Sequence, residues 1–184
     1  MDTKTHWDKV YATKAPDAVS WYRPHLETSL ALIERAARSY AAAIIDVGGG
    51  ESQTAIDVTT KRLGEAAQQV NWIAGDVTEV PLDADAYDVW HDRAVFHFLT
   101  NPAQRTSYVR QVARAVRPGG HVIVSTFGPE GPTKCSGLEV MRYDADSLHG
   151  EFGGRFRLVE SSKELHQTPS GTTQQFLYCY CRVE

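Results

Sequence analysis

The apolar positions of the chain alternate between helical and strand-like spacing. Residues 27–42 (ETSLALIERAARSYAA) place Leu30, Ile33, Ala37 and Tyr40 at steps of three and four, which predicts a helix with one apolar face. Residues 43–47 (AIIDV) form a short apolar run that stops at Gly48-Gly49-Gly50, the pattern of a buried strand followed by a tight turn. A second helical stretch, 54–69, spaces Ile56, Leu63 and Ala67 for one face, and residues 70–74 (VNWIA) read as a strand closed by Gly75-Asp76. A strand at 87–91 (YDVWH) precedes a helix at 104–116 carrying Tyr108, Val112 and Ala115 on one side. Arg117-Pro118-Gly119-Gly120 is a stop signal with a glycine turn, and 121–127 (HVIVSTF) is the clearest central strand. Two further strand-like runs, 156–161 and 176–183, flank the turn-forming stretch 166–171 (HQTPSG) and predict an antiparallel hairpin. Strands alternating with helices and closed by a hairpin predict an α/β fold, a mostly parallel sheet with an antiparallel C-terminal edge hairpin and flanking helices.

Composition narrows this to one domain spanning 1–184. A chain of 184 residues buries about 70% of the surface its unfolded form exposes and needs neither disulfides nor a metal to hold a core. No apolar run approaches the roughly 20 residues of a membrane span, and the start MDTKTHWDKVY lacks the apolar centre of a signal peptide, so a cytoplasmic protein with no membrane partner is expected. The net charge is −4 and no Lys/Arg block occurs, so no nucleic-acid partner is expected. Cys135, Cys179 and Cys181 are an odd set without CxxC or zinc-type histidine spacing, which predicts free thiols and no metal site. Residues 1–25 are rich in aromatics, Trp7, Tyr11, Trp21 and Tyr22, with Pro16 and Pro24 breaking regularity, and stand apart from a core at 43–184 as a lid or cap.

The strongest chemical signal is the strand 44–47 delivering three glycines at its carboxyl end. Glycine lets a ligand approach the backbone closely, and open parallel sheets bind ligands outside the carboxyl ends of their strands. A plain glycine turn is the alternative. The turn is accompanied by a strand ending in Gly75-Asp76-Val77, then YDVWHDRAVFHFL, then VRPGGHVIVSTF. Together, in this order, these segments resemble the class I S-adenosylmethionine-dependent methyltransferases over nearly the whole chain, and the sheet is then Rossmann-like. GGG in place of GxGxxG separates it from a dehydrogenase.

The resemblance implies S-adenosyl-L-methionine as cofactor and gives several residues roles. Asp46, Gly48, Gly49 and Gly50 pass under its methionine and ribose part, Asp76 and Val77 hold adenine, and His91 and Asp92 meet the methionine moiety. Arg93 either pairs with the cofactor carboxylate or forms a structural ion pair with Asp92 or Asp88. Trp21 and Tyr22, with Trp7 and Tyr11, form either a lid whose ring faces attract the sulfonium or a segment packed on the sheet edge. Methyl transfer needs chiefly alignment, and a base only if the acceptor arrives protonated. His97 and Asp92 are the candidate bases, with core packing the alternative for His97. Tyr11, Phe127 and Tyr143 are the candidates for an unidentified acceptor's pocket.

One departure stands out. Two strand–helix–strand steps of roughly 30 residues each should separate Gly48 from Asp76 by about 50 positions or more. Only 28 do. The second strand, one helix and the acid that would bind the ribose hydroxyls are missing by this reading, an internal deletion that leaves Glu51 and Asp57 as the nearest substitutes. The expected consequences are direct pairing of 43–47 with 70–74 through the 54–69 crossover, or else a gap that another chain fills, with surface left for a homodimer in either case, and a weakened cofactor site. A catalytically degenerate binding or regulatory module is the alternative function.

Overall fold

A computed structural model describes residues 3–15, 17–48 and 53–184. Gly49, Gly50 and Glu51 lie outside the described residues. The chain runs α1 (Thr3–Thr13), α2 (Glu27–Ala36), β1 (Ile44–Val47), α3 (Gln53–Leu63), a 3-10 turn (Gly64–Gln69), β2 (Tyr87–Arg93), α4 (Pro102–Ala115) and β3 (Val116–Phe127). A two-residue pair, β4 (Lys134–Cys135) and β5 (Leu138–Glu139), then leads to α5 (Ala145–Phe152) and the hairpin of β6 (Phe156–Gln167) and β7 (Thr173–Val183). The main sheet has the order β1-β2-β3-β7-β6. β1, β2 and β3 are mutually parallel and β7 is antiparallel to both its neighbours, so only β7 is reversed. This is the mostly parallel, Rossmann-like α/β sheet with an antiparallel C-terminal hairpin that the sequence predicts.

Local sequence explains the best-formed helices. Asn101 caps α4 by accepting from the Ala103 amide at 2.9 Å, with Pro102 at the first turn. Its face of Tyr108, Val112 and Ala115 is buried as the spacing requires. Asp144 and Ser147 form a reciprocal capping box on α5. The sheet separates two cores. Trp90, Val122, Val124, Cys179 and Cys181 pack on one side with Tyr108, Val112, Leu148 and Phe152 of α4 and α5. Val89, Ile123, Tyr178 and Tyr180 pack on the other with Leu32 and Ala36 of α2. All three cysteines are free and buried, and burial pushes Cys135 up to about 11 and Cys179 and Cys181 up to about 12.

Five expectations are corrected. Helix α2 stops at Ala36 and buries Ser29, Leu32 and Ala36, while Leu30 is exposed and Tyr40 lies beyond the helix in full solvent. β1 is an edge strand with Ile44 and Asp46 exposed, not a buried one. Residues 70–74 form no strand, and β1 pairs with β2 instead, because a strand needs a partner ladder and VNWIA has none. In the 54–69 stretch, Ile56 and Ala67 are buried but Leu63 is exposed, since the α-helix gives way to a tighter turn at Gly64. Arg117–Gly120 do not separate helix from strand. β3 begins at Val116 and absorbs them as a pairing irregularity opposite Tyr87 and Val89, with Gly119 at φ +79°.

A candidate cofactor site at the carboxyl ends of the first two strands

Parallel register sets Asp46 of β1 beside His91 of β2 at the carboxyl end of the sheet. The two side chains meet, His91 Nδ1 lying 2.6 Å from Asp46 Oδ1. His91 is buried, whereas the Asp46 side chain is 76% exposed. Behind the imidazole, Nε2 contacts Ser29 Oγ of α2 at 2.9 Å, and Ser29 Oγ contacts the Tyr178 hydroxyl of β7 at 3.1 Å. Arg93 Nε donates to that phenolic oxygen at 3.2 Å.

The two ends of this line are fixed by chemistry: a guanidinium can only donate, so Tyr178 accepts from Arg93, and a carboxylate can only accept, so His91 Nδ1–H points at Asp46, with the Ser29 hydroxyl bridging Tyr178 and His91 Nε2. One oxygen of an exposed acid is thus fixed from inside the protein and the carboxylate faces outward. Among the described residues, none has an atom within 4 Å of the place a Cβ would take on Gly48, two residues on. An open backbone beside a held carboxylate leaves room for a ligand's hydroxyl or ammonium groups.

Arg93 is anchored inward. Beyond Tyr178 it donates from Nη1 to the Trp21 carbonyl at 3.2 Å, lies 3.7 Å from Glu164 and stacks 4.3 Å over the Phe176 ring. Neither Asp88 nor Asp92 pairs with it, which corrects the structural ion pair the sequence suggested. Glu164 is shared with Arg23 at 3.1 Å and with the Thr28 hydroxyl.

Asp92 points to the other face of the sheet. It is fully buried and accepts from the Tyr108 hydroxyl at 2.6 Å, the Val95 amide at 2.9 Å and the Phe96 amide at 3.1 Å. Burial pushes its carboxyl up to about 6 against those hydrogen bonds. Tyr108 in turn accepts from Trp90 Nε1 at 2.8 Å. His97 is also fully buried, with Nδ1 facing the Phe127 amide at 3.3 Å and, among the described residues, no partner for Nε2. Burial, with the charge of Arg93, drives it down to about 3.

Of the remaining residues, Trp21 and Tyr11 come together. With Trp7 they form a ring cluster closed by Phe98: Trp7 lies 5.7 Å from Trp21, 6.2 Å from Tyr11 and 5.2 Å from Phe98, and Tyr11 lies 6.4 Å from Trp21. Burial, then the nearby Cys135 thiol, raises the Tyr11 hydroxyl. Tyr22 is not among these rings. Phe127 lies on the same side of the sheet as α2, 4.6 Å from the His97 ring, but Tyr143 is buried in the opposite core and does not join it. Asp76 closes a local turn, accepting the amide and hydroxyl of Thr78 at 2.7 Å each, and Val77 is half-buried against the α4 side. Asp57 accepts from Gln53 on the surface of α3. Sequence reasoning missed Ser29, Tyr178, Glu164 and Phe98. The only signal for Ser29 was its place one and two turns before Leu32 and Ala36.

Comparison with known proteins identifies the family and the fold. A family model described as "Methyltransferase domain" matches residues 32–124, half of the chain, from within α2 to within β3. A demethylmenaquinone methyltransferase of Mycobacterium tuberculosis is 36% identical over 62 residues, 34% of this chain and 25% of that protein. Matched segments span only 11% to 25% of the curated relatives' lengths. In fold, a structure concerned with conversion of a disulfide bond into a thioacetal group during echinomycin biosynthesis superposes with a TM-score of 0.74 at 14% identity, covering 100% of this chain and 92% of that one. The 1,6-didemethyltoxoflavin-N1-methyltransferase of Burkholderia thailandensis, solved with bound S-adenosylhomocysteine, gives 0.66 at 17% identity, covering 98% and 84%. With that family model matched over half of the chain and a sheet of the same fold as these structures, the chain belongs to the class I S-adenosylmethionine-dependent methyltransferase family.

Proposed function

We propose that the protein transfers a methyl group from S-adenosylmethionine to a small, ring-containing acceptor held under the cluster of Trp7, Tyr11, Trp21 and Phe98. The observation that carries this is the Asp46–His91 contact, which holds an exposed carboxylate at the carboxyl end of β1 where the cofactor's polar groups would be gripped. S-adenosylmethionine supplies an electrophilic methyl on a sulfonium. Ring faces of the cluster attract a cation and exclude water from the acceptor. The two similar proteins whose names state an acceptor, demethylmenaquinone and 1,6-didemethyltoxoflavin, favour a compound of this kind. His97, neutral down to about pH 3 and enclosed, is a packing residue in this reading. Asp92, with its oxygens taken by Tyr108 and two amides, sets the β2 terminus and takes no proton from substrate. Alignment then does the work, and the acceptor arrives already nucleophilic.

A second reading, a binding module on the same fold, is favoured by one observation: among the described residues no strand flanks the outer edge of β1. Calorimetry with S-adenosylhomocysteine separates the two. Binding that Asp46→Ala weakens by about tenfold or more, as loss of a charged hydrogen bond requires, together with methyl transfer to a quinone or flavin-like ring, supports the enzyme. Tight binding without transfer supports the module, and no binding overturns both. The bare β1 edge is where we place self-association, and a monomer by light scattering at all concentrations would remove it.

A further inference from the structure

The residues above gather at the carboxyl ends of β1 and β2. At the opposite end of the sheet a cleft of about 500 Å³ opens between the segment after α2 and the starts of β2 and β3. That volume is in the range of small-molecule sites. Arg38, Arg117, His121 and Arg182 line it against a single carboxylate, Asp88, and Gly119 contributes bare backbone.

The one acid is already committed. Asp88 accepts the Ala43 amide at 2.8 Å through Oδ2 and pairs with Arg117 at 3.2 Å through Oδ1. Arg117 spends another nitrogen on the Ala86 carbonyl at 2.9 Å. Among the described residues, Arg38 and Arg182 have no carboxylate within ion-pair distance, and the Nε groups of Arg182 and Arg117 are buried without a partner.

The sheet register makes this arrangement costly. Arg182 on β7 stands directly opposite His121 on β3 and Arg157 on β6, three basic side chains across adjacent strands. Like charges directly opposite destabilise a sheet, which sets Arg182 against Arg157, and among the described residues the carboxylate that relieves this pair is Glu184, 2.9 Å from Arg157. Burial, followed by Arg38, Arg182 and Arg157, pushes His121 below its ordinary value. A chain of net charge −4 has concentrated positive charge in one hollow.

We propose that this cleft binds a small phosphate-bearing anion, gripped by the guanidinium groups of Arg38 and Arg182. Guanidinium presents paired N–H donors that match phosphate oxygens two at a time, and such an anion satisfies the buried Arg182 Nε and offsets the cross-strand repulsion. The site lies at the far end of the sheet from Asp46 and needs no cofactor.

Inorganic pyrophosphate is the probe, titrated by calorimetry into the whole protein with and without S-adenosylhomocysteine, so failure of the methyltransferase reading leaves this result standing. One-site binding is expected, weakened by about tenfold or more in Arg38→Ala and in Arg182→Gln, and falling as salt rises. Arg38 is exposed, so its variant keeps the test valid if Arg182→Gln does not fold. ADP and glucose 6-phosphate, each displaced by pyrophosphate, distinguish a nucleotide from a sugar phosphate. Absence of heat, a melting shift no greater than sodium chloride gives at equal ionic strength, or equal affinity in wild type and Arg38→Ala overturns the proposal.

Discussion

His91 and Asp92 are consecutive on β2, yet they serve two different kinds of polar structure. Asp92 closes a network of Trp90, Tyr108 and two amides in which every hydrogen bond ends inside the protein. His91 sits in a line from Arg93 through Tyr178 and Ser29 that ends at a solvent-facing carboxylate. The first network can only stabilise. The second has an open end, and an open end is what a ligand can use. Adjacent residues on a strand face opposite sides, so position in a motif does not by itself tell which of the two is functional.

The sharpest way to break the comparison is at Asp92. Replacing it with Ala strands the Tyr108 hydroxyl and two amides in a dry core, each worth about 1 to 3 kcal/mol, so a loss of about 3 kcal/mol or more is expected in urea unfolding. A stable variant with lost activity would mean that Asp92 belongs with the open network.

Proton linkage gives the next largest effect. His97 is held near 3 in the fold against an ordinary 6.5, so below about pH 6.5 the unfolded chain takes up a proton that the folded one refuses, and stability falls on acidification. Asp92 has the opposite sign. Its carboxyl is raised from 3.8 to about 6, so the folded state takes the proton first and stability rises as pH falls across that window. The His97 shift is the wider. His97→Gln should therefore remove about 2 kcal/mol of the acid-induced loss between pH 6 and 4, measured as the difference in urea midpoints from wild type. Parallel profiles would refute the enclosed, neutral histidine.

Ser29→Ala is the mildest test. It cuts the line behind His91 and should cost about 1 kcal/mol of stability while weakening S-adenosylhomocysteine binding through a less firmly held His91–Asp46 pair. Unchanged binding would show that the imidazole needs no support from α2.

Much of the fold was legible because the signals were local. Asn101-Pro102 and the apolar face at Tyr108, Val112 and Ala115 define α4 without help from the rest of the chain. The face of α2 was misread because its buried positions are Ser29, Leu32 and Ala36. A serine kept inside for its hydrogen bonds to His91 and Tyr178 looks polar to any periodicity argument, while Leu30 looks apolar and is exposed. Residues 70–74 have strand composition, but ladder bonds come from a neighbour that no local pattern reveals. In the candidate site Asp46 and Gly48 were readable as the end of a strand and the turn after it. Tyr178 and Glu164 were not, since the hairpin brings them to His91 and Arg93 from far along the chain. Helices α1 and α5 also escaped: the aromatic segment 1–25 was read as a lid or cap, and 145–152 drew no reading.

The buried thiols give the molecule two internal clocks. Only a thiolate is alkylated, and groups held at about 11 and 12 are silent in the native state. Cys135 lies under the N-terminal segment, within reach of Ser20, and Cys179 and Cys181 lie in the sheet interior. Labelling at Cys135 therefore counts each lifting of that segment, and labelling at the other two counts each opening of the sheet. The ratio of the rates reads how far the cover over the ring cluster moves independently of the fold beneath it.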